Sequence, residues 1–238
     1  MKAVIIAAGI GSRIEDKTDG LPKTILPFED GTILSRIIKN ISQTGIKEFV
    51  IIVGYKFEHI TNYLDEQNNF GFDITIVENE EWRRGNGISV LSAEVAVGDE
   101  DFILSMSDHI VSVNAINRIV NFESDKNLLL VDPNIHDNFD IDDATKVDYN
   151  GIDIINIGKE LESYNGLDCG IFRLTKRFFS GMRRQLELNK ESISASINEL
   201  IKDKDMQAVL ISNDDYWFDI DTPEAYQDCI NTLRELDS

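Results

Sequence analysis

Cysteine is scarce: only Cys169 and Cys229 occur in 238 residues, and they fit no ligand or disulfide pattern. Structural zinc is therefore excluded, since three scattered histidines add no Cys-x-x-Cys pair. A reducing, cytoplasmic setting is the expectation. Proline is equally rare, with four residues at 22, 27, 133 and 223 that mark no long linker. One domain over residues 1–238 is expected. No run approaches 18 apolar residues, so no membrane span is expected, and Met1–Ala8 lacks the basic flank of a signal peptide. Basic residues are outnumbered 23 to 43, which gives a net charge of −20. That balance argues against nucleic-acid grooves and anionic membrane surfaces. Any anionic ligand would need local cations and a divalent metal to reverse the field.

What is present is an alternation of two periodicities. Continuous apolar runs of strand length recur at Ala3–Ala7, Phe49–Val53, Ile74–Val77, Phe102–Met106 and Leu128–Val131. Their unbroken character suits strands covered on both faces. Helical spacing follows in Ile33, Leu34, Ile37, Ile38 and Ile41, again in Phe57, Ile60, Tyr63 and Leu64, and in Ile88, Leu91 and Val95. This alternation predicts an α/β fold with a mixed, mostly parallel central sheet flanked by helices. Further on, Asn150-Gly151 between Thr145–Tyr149 and Asp153–Ile157 predicts a hairpin. A strand is expected at Leu167–Leu174, helices at Arg177–Leu188 and Ser194–Lys202, and a strand at Gln207–Ile211. Thr222 and Pro223 mark the start of a last helix.

The first strand runs into Ala7-Ala8-Gly9-Ile10-Gly11-Ser12-Arg13, with Pro22-Lys23 after a polar stretch. No P-loop run exists, and Ile14 stands where a dinucleotide fingerprint needs its third glycine. Glycines here let backbone N–H groups approach phosphates. Arg13 can fork two phosphate oxygens, and Lys23 adds a point charge.

In these segments the chain resembles the nucleotidyltransferases that activate sugar phosphates, and it looks most like the branch acting on CTP and inositol 1-phosphate. Arg84-Gly85-Asn86-Gly87, Met106-Ser107-Asp108-His109, Ala144-Thr145-Lys146, Ile157-Gly158-Lys159 and Trp217-Phe218-Asp219-Ile220-Asp221-Thr222 extend the likeness. The resemblance implies a Rossmann-like nucleotidyltransferase fold. It implies two substrates, CTP or another nucleoside triphosphate and a phosphorylated small molecule, with a homo-oligomer possible. It also implies that Ala7, Ala8 and Gly9 contribute backbone groups to the pyrimidine pocket, with Gly85, Asn86 and Gly87 against the base. Some relatives carry a membrane-bound transferase domain; none follows Ser238 here, so a later step is expected from a separate protein.

Asp108 follows an apolar strand, where open α/β sheets bind ligands. Asp219 and Asp221 alternate in a piece that, if extended, aims both carboxylates one way. Mg²⁺ favours one or two carboxylates plus phosphate oxygens, so Asp108, Asp219 and Asp221 are the expected metal set. Lys159 and Lys146, on the two strands of the expected hairpin, are candidates for the acceptor phosphate; the resemblance favours Lys159. Asn86 has a second reading as a helix cap. No catalytic role falls to His59, His109 or His136, although His109 adjoins Asp108. Trp217 and Phe218 are expected to pack. No aromatic cage for a cationic acceptor can be assembled from Tyr149, Tyr164 and Phe139. Uridylyl or thymidylyl transfer to a sugar 1-phosphate, a phosphocholine or aminoalkylphosphonate acceptor, and a non-catalytic nucleotide-sensing subunit are the competing readings.

Overall fold

The computed structural model describes residues 1–14, 20–135, 141 and 143–236; His136 and Phe139 lie outside them. The chain begins with β1 (Lys2–Ala7), then single 3-10 turns at Ser12–Ile14 and Lys23–Ile25. A short ribbon, β2 (Pro27–Phe28) and β3 (Gly31–Thr32), leads into α1 (Ile33–Ser42). Next come β4 (Glu48–Val53), α2 (Phe57–Glu66) and β5 (Asp73–Glu78). Helices α3 (Asn86–Ser92) and α4 (Glu94–Val97) precede β6 (Phe102–Met106), β7 (His109–Val111), α5 (Val113–Val120) and β8 (Asn127–Asp132). The hairpin β9 (Lys146–Asn150) and β10 (Asp153–Gly158) is followed by β11 (Gly166–Leu174). Finally come α6 (Arg177–Leu186), α7 (Ile193–Lys202), β12 (Met206–Leu210), β13 (Trp217–Asp219) and α8 (Pro223–Leu236).

One nine-stranded sheet runs in the order β5-β4-β1-β6-β11-β8-β12-β10-β9, and β9 also touches β11. Strands β5, β4, β1 and β6 are parallel, as are β8 and β12. Strand β11 runs against both β6 and β8, and β10 against β12 and β9. The runs of β1, β4, β6 and β8 are unbroken because both faces of the sheet are covered there; Ile74–Val77 departs from that expectation, since the edge strand β5 has no buried residue and Ile76 is exposed. Ala3, Ile5 and Ala7 of β1 enter one core with Ile37 of α1, Leu64 of α2, Ile116 of α5 and Leu233 of α8. Val4 and Ile6 enter the other with Val90 of α3, Phe179 of α6 and Ile197 of α7.

Some boundaries differ from expectation. Helix α6 ends at Leu186, short of Leu188. Helix α1 opens with a capping box in which Thr32 pairs with Ser35 instead of Glu or Gln. The hairpin turn falls on Gly151 and Ile152, since Asn150 pairs with Asp153, and Gly151 takes a φ of 62°. Thr222 does cap α8, accepting from the Ala225 N–H at 3.1 Å. Helix α5 and the β7–β13 ribbon were not expected; α5 buries Ala115, Ile116 and Ile119 at helical spacing, whereas the three-residue strands of the ribbon are too short to show a period. That ribbon sets Asp219 directly opposite His109, and it builds one wall of the site. Among the described residues no helix is long and apolar enough to cross a membrane.

Candidate active site

The loop after β1 and the Pro22-Lys23 segment form one unit. Gly11 has a φ of 70°, and a Cβ there would lie 2.6 Å from Lys23 Cβ. Glycine is thus needed both for the backbone conformation and for the approach of the lysine stem. Lys23 is only 6% exposed. Its ammonium donates to Asp108 Oδ2 at 2.9 Å and to Asp221 Oδ1 at 2.5 Å. Burial opposes its charge, yet Asp108 and Asp221 outweigh burial and raise its pKa. Arg13 donates one nitrogen to Asp143 and the other to Asp221. Ala8 is buried and its carbonyl accepts from the Tyr55 N–H at 3.0 Å, so Gly9 is the exposed part of the turn.

Asp108 lies between β6 and β7 and gathers the acids. Its carbonyl accepts from the Ile220 N–H at 2.9 Å, which ties the segment after β13 to it. One carboxylate oxygen is 2.9 Å from His109 Nδ1. Burial acts against its ionisation, but Lys23 and His109 hold its carboxyl far below the usual range. His109 Nε2 stands 4.0 Å from Asp219 Oδ2. Burial lowers the His109 pKa, and Asp219, Asp108 and Asp168 more than reverse this, pushing it up to about 9. Burial pushes Asp219 up to about 6, against His109 and with the like charges of Asp108 and Asp221. The ring of His109 stacks on Trp217 at 5.8 Å between centroids, and the indole donates to Asp132 Oδ2 at 2.7 Å. Trp217 therefore packs, as expected, while also fixing the histidine.

The expected metal set is only partly one group. Asp108, His109 and Asp219 present ligand atoms within 4.8 Å of one another. Asp221 is instead drawn to Arg13 and Lys23. Strand β13 ends at Asp219, so strand alternation does not place Asp221. The donor set still suits a hard cation. Asp219 Oδ1 is buried without a partner, and the Lys23 ammonium already bridges Asp108 and Asp221 as a monovalent cation.

Lys159 follows β10 and donates to Asp143 Oδ1 at 2.7 Å. Lys146 departs from expectation. Its ammonium donates to the Lys159 carbonyl at 2.8 Å and lies 5.8 Å from the Tyr164 ring, so it supports Lys159 from within the protein. The Asn86 cap reading is also corrected. Gly85 is the N-cap of α3, and Asn86 Oδ1 accepts from the Ile193 N–H at the start of α7, at 2.9 Å. Gly85 and Gly87 are glycines because Glu191, just before α7, and Met182 of α6 leave no room. A Cβ on Gly85 would lie 2.4 Å from the Glu191 carbonyl oxygen, and one on Gly87 2.5 Å from Met182 Sδ. Protein packing thus accounts for both glycines on the side a Cβ would occupy, while Asn86 lines the cavity of the site.

Arg13, Asn86, Asp108, Lys159, Asp168 and Asp219 all line one cavity of about 1010 Å³. Sequence reasoning missed Asp143 and Asp168. Asp168 sits before a bulge in β11, accepts from the Gly170 N–H at 2.8 Å, and is pushed up to about 6 by burial. Nothing distinguishes Asp143 in sequence from the other 42 acidic residues.

A doubly covered sheet, a glycine–arginine loop locked to a buried lysine, and acids gathered at the strand ends define a phosphate-handling transferase. Residues 2–136 match the nucleotidyl transferase family, and the chain belongs to it. It is 34% identical to the bifunctional IPC transferase and DIPP synthase of Aquifex aeolicus (strain VF5), over 93% of this chain and 49% of that protein. It is 31% identical to the protein of the same name from Thermococcus kodakarensis, over 94% and 48%. The chain thus spans about half the length of these curated relatives. Its fold matches the inositol-1-phosphate CTP transferase from T. maritima with a TM-score of 0.86, 24% identity and coverage of 98% of this chain and 96% of that one.

Proposed function

We propose that this chain catalyses Mg²⁺-dependent cytidylyl transfer from CTP to inositol 1-phosphate, releasing pyrophosphate and CDP-inositol. One observation carries the reading: Arg13 meets Asp221 in the cavity that Lys159 also lines, and the buried Lys23 reaches the same Asp221 and Asp108 from within the protein. An oxygen of the acceptor phosphate attacks the α-phosphorus, and the bond from that phosphorus to the bridging oxygen of the β-phosphate breaks. A phosphate monoester, with a second pKa of about 6, is already largely dianionic at pH 7. No protein nucleophile or general base is required, and catalysis reduces to positioning and charge. Arg13 and Lys23 balance the charge of the departing pyrophosphate. Lys159, held by Lys146, orients the attacking phosphate. Asp108 and Asp219, with Asp221 once Lys23 turns to phosphate, would hold the metal, which when bound supplies charge neutralisation across phosphate oxygens. Asp168, half-buried in the cavity lining, accepts hydrogen bonds from acceptor hydroxyls in this reading. The choice of CTP and inositol 1-phosphate is supported by the name of the structurally similar T. maritima transferase, by the IPC transferase relatives and by the family resemblance of Arg84-Gly85-Asn86-Gly87.

Pyrophosphate release from CTP, UTP and dTTP, each paired with inositol 1-phosphate, glucose 1-phosphate and phosphocholine, tests this. Fastest release with CTP and inositol 1-phosphate is expected. A clear preference for UTP or dTTP with the sugar phosphate would replace the assignment, and no release from any pair would refute catalysis.

A further inference from the structure

Asp143 joins the two halves of the site. One of its carboxylate oxygens accepts from Arg13 and the other accepts from Lys159 at 2.7 Å. The arginine comes from the loop after β1 and the lysine from the end of β10, so two distant segments meet on a single acid. All three side chains remain open to the cavity, with 49% of Arg13, 50% of Lys159 and 35% of Asp143 exposed. Two oxygens of one anion, each facing one cation, reproduce what a phosphoryl group would offer at that place. Without that anion, the two cations would repel.

We propose that Asp143 is a positioning residue that couples the two substrates, its carboxylate holding Arg13 and Lys159 in place until phosphate groups replace it. A triphosphate that takes Arg13 sets its own negative charge against Asp143. The repulsion drives the carboxylate off Lys159 as well, which leaves that ammonium open to the second phosphate. The same holds in reverse order, because a coupling between two binding equilibria is reciprocal. The first substrate to bind bears the cost of separating the ion pairs, and the second meets no competitor. Arg13 keeps Asp221 throughout, while the bond from the Lys146 ammonium to the Lys159 carbonyl fixes the backbone from which the freed Lys159 ammonium turns to phosphate.

This role presupposes the nucleotidyl-transfer reading above, and its test separates the two. The unreactive α,β-methylene analogues of CTP and UTP are titrated calorimetrically into the protein with Mg²⁺, with and without saturating inositol 1-phosphate. In the unaltered protein the acceptor should tighten CTP-analogue binding by about fivefold or more, within the usual range of coupling between sites. In Asp143→Asn the analogue should bind tighter on its own, and the acceptor should no longer change its affinity. Asp143→Glu, which keeps the charge, should restore the coupling. A coupling in Asp143→Asn equal to that of the unaltered protein overturns the proposal, as does weaker analogue binding in that variant. If only the UTP analogue binds and couples through Asp143, the choice of CTP fails and the role of Asp143 stands. If neither analogue binds the unaltered protein, both fall together.

Discussion

Lys23 is buried to 6% exposure between two carboxylates, an arrangement that leaves its ammonium charged and aimed. Lys23→Ala should lower turnover by about 10²–10³, the usual loss when one preorganised charge stabiliser is removed. Steady-state pyrophosphate release measures this, and near-normal turnover would remove Lys23 from the mechanism. His109 makes a prediction about stability. Its pKa rises from an ordinary 6.5 to about 9 among Asp219, Asp108 and Asp168. A raised histidine pKa stabilises the folded state fully below about 6.5, and that contribution is lost as the pH climbs through about 9. In EDTA, the melting temperature should therefore fall between these limits more steeply for the unaltered protein than for His109→Gln. Parallel curves would show that the histidine does not hold its proton. The meeting of Lys23, Arg13 and Asp108 in one site was legible from their motifs. That of Asp143 was not, because its value comes from contacts with Arg13 and Lys159, far away in the chain.

At the scale of elements, β11 links the sheet to the site through its bulge. Gly170 there has a φ of 75°, and a Cβ would lie 2.5 Å from the His109 ring. Gly151, in the β9–β10 turn, has a similar φ of 62° with nothing within 4 Å. Gly170→Ala should combine backbone strain with overpacking and cost about 2–6 kcal/mol, with loss of activity as His109 shifts. Gly151→Ala should cost only the strain, about 1–3 kcal/mol at most, and leave activity intact. Denaturant midpoints and pyrophosphate release for the pair check this; equal activity losses would contradict it. Ile76 of β5 and Val95 of α4 fit the expected patterns yet stand exposed, but the apolar runs of β1, β4, β6 and β8 and the helical spacing of α1 were readable because those elements bury whole faces. The β7–β13 ribbon was not, although it brings Asp219 to His109. A three-residue strand has no period to read, and its place is set by Trp217 stacking and by Ile220 bonding to the Asp108 carbonyl.

Across the whole molecule, an excess of 20 negative charges surrounds a site proposed to bind two anions. The site answers with a few cations, each already held by a carboxylate: Lys23 by Asp108 and Asp221, Arg13 by Asp143 and Asp221, Lys159 by Asp143. The cations are thereby oriented in advance, and their partners can pass to metal or step aside when phosphate arrives. The fold class was visible in the alternation of runs, whereas this exchange of partners depends on distances that only the folded chain sets. The central claim is that these charges serve one reaction, the joining of a cytidylyl group to an inositol phosphate. The most direct measurement is ³¹P NMR of the purified protein incubated with CTP, Mg²⁺ and inositol 1-phosphate. The account predicts that the CTP and monoester signals decay together, while coupled diphosphate resonances of CDP-inositol appear with equimolar pyrophosphate. Loss of CTP to free nucleotide with the monoester signal unchanged, or unchanged spectra, would contradict it.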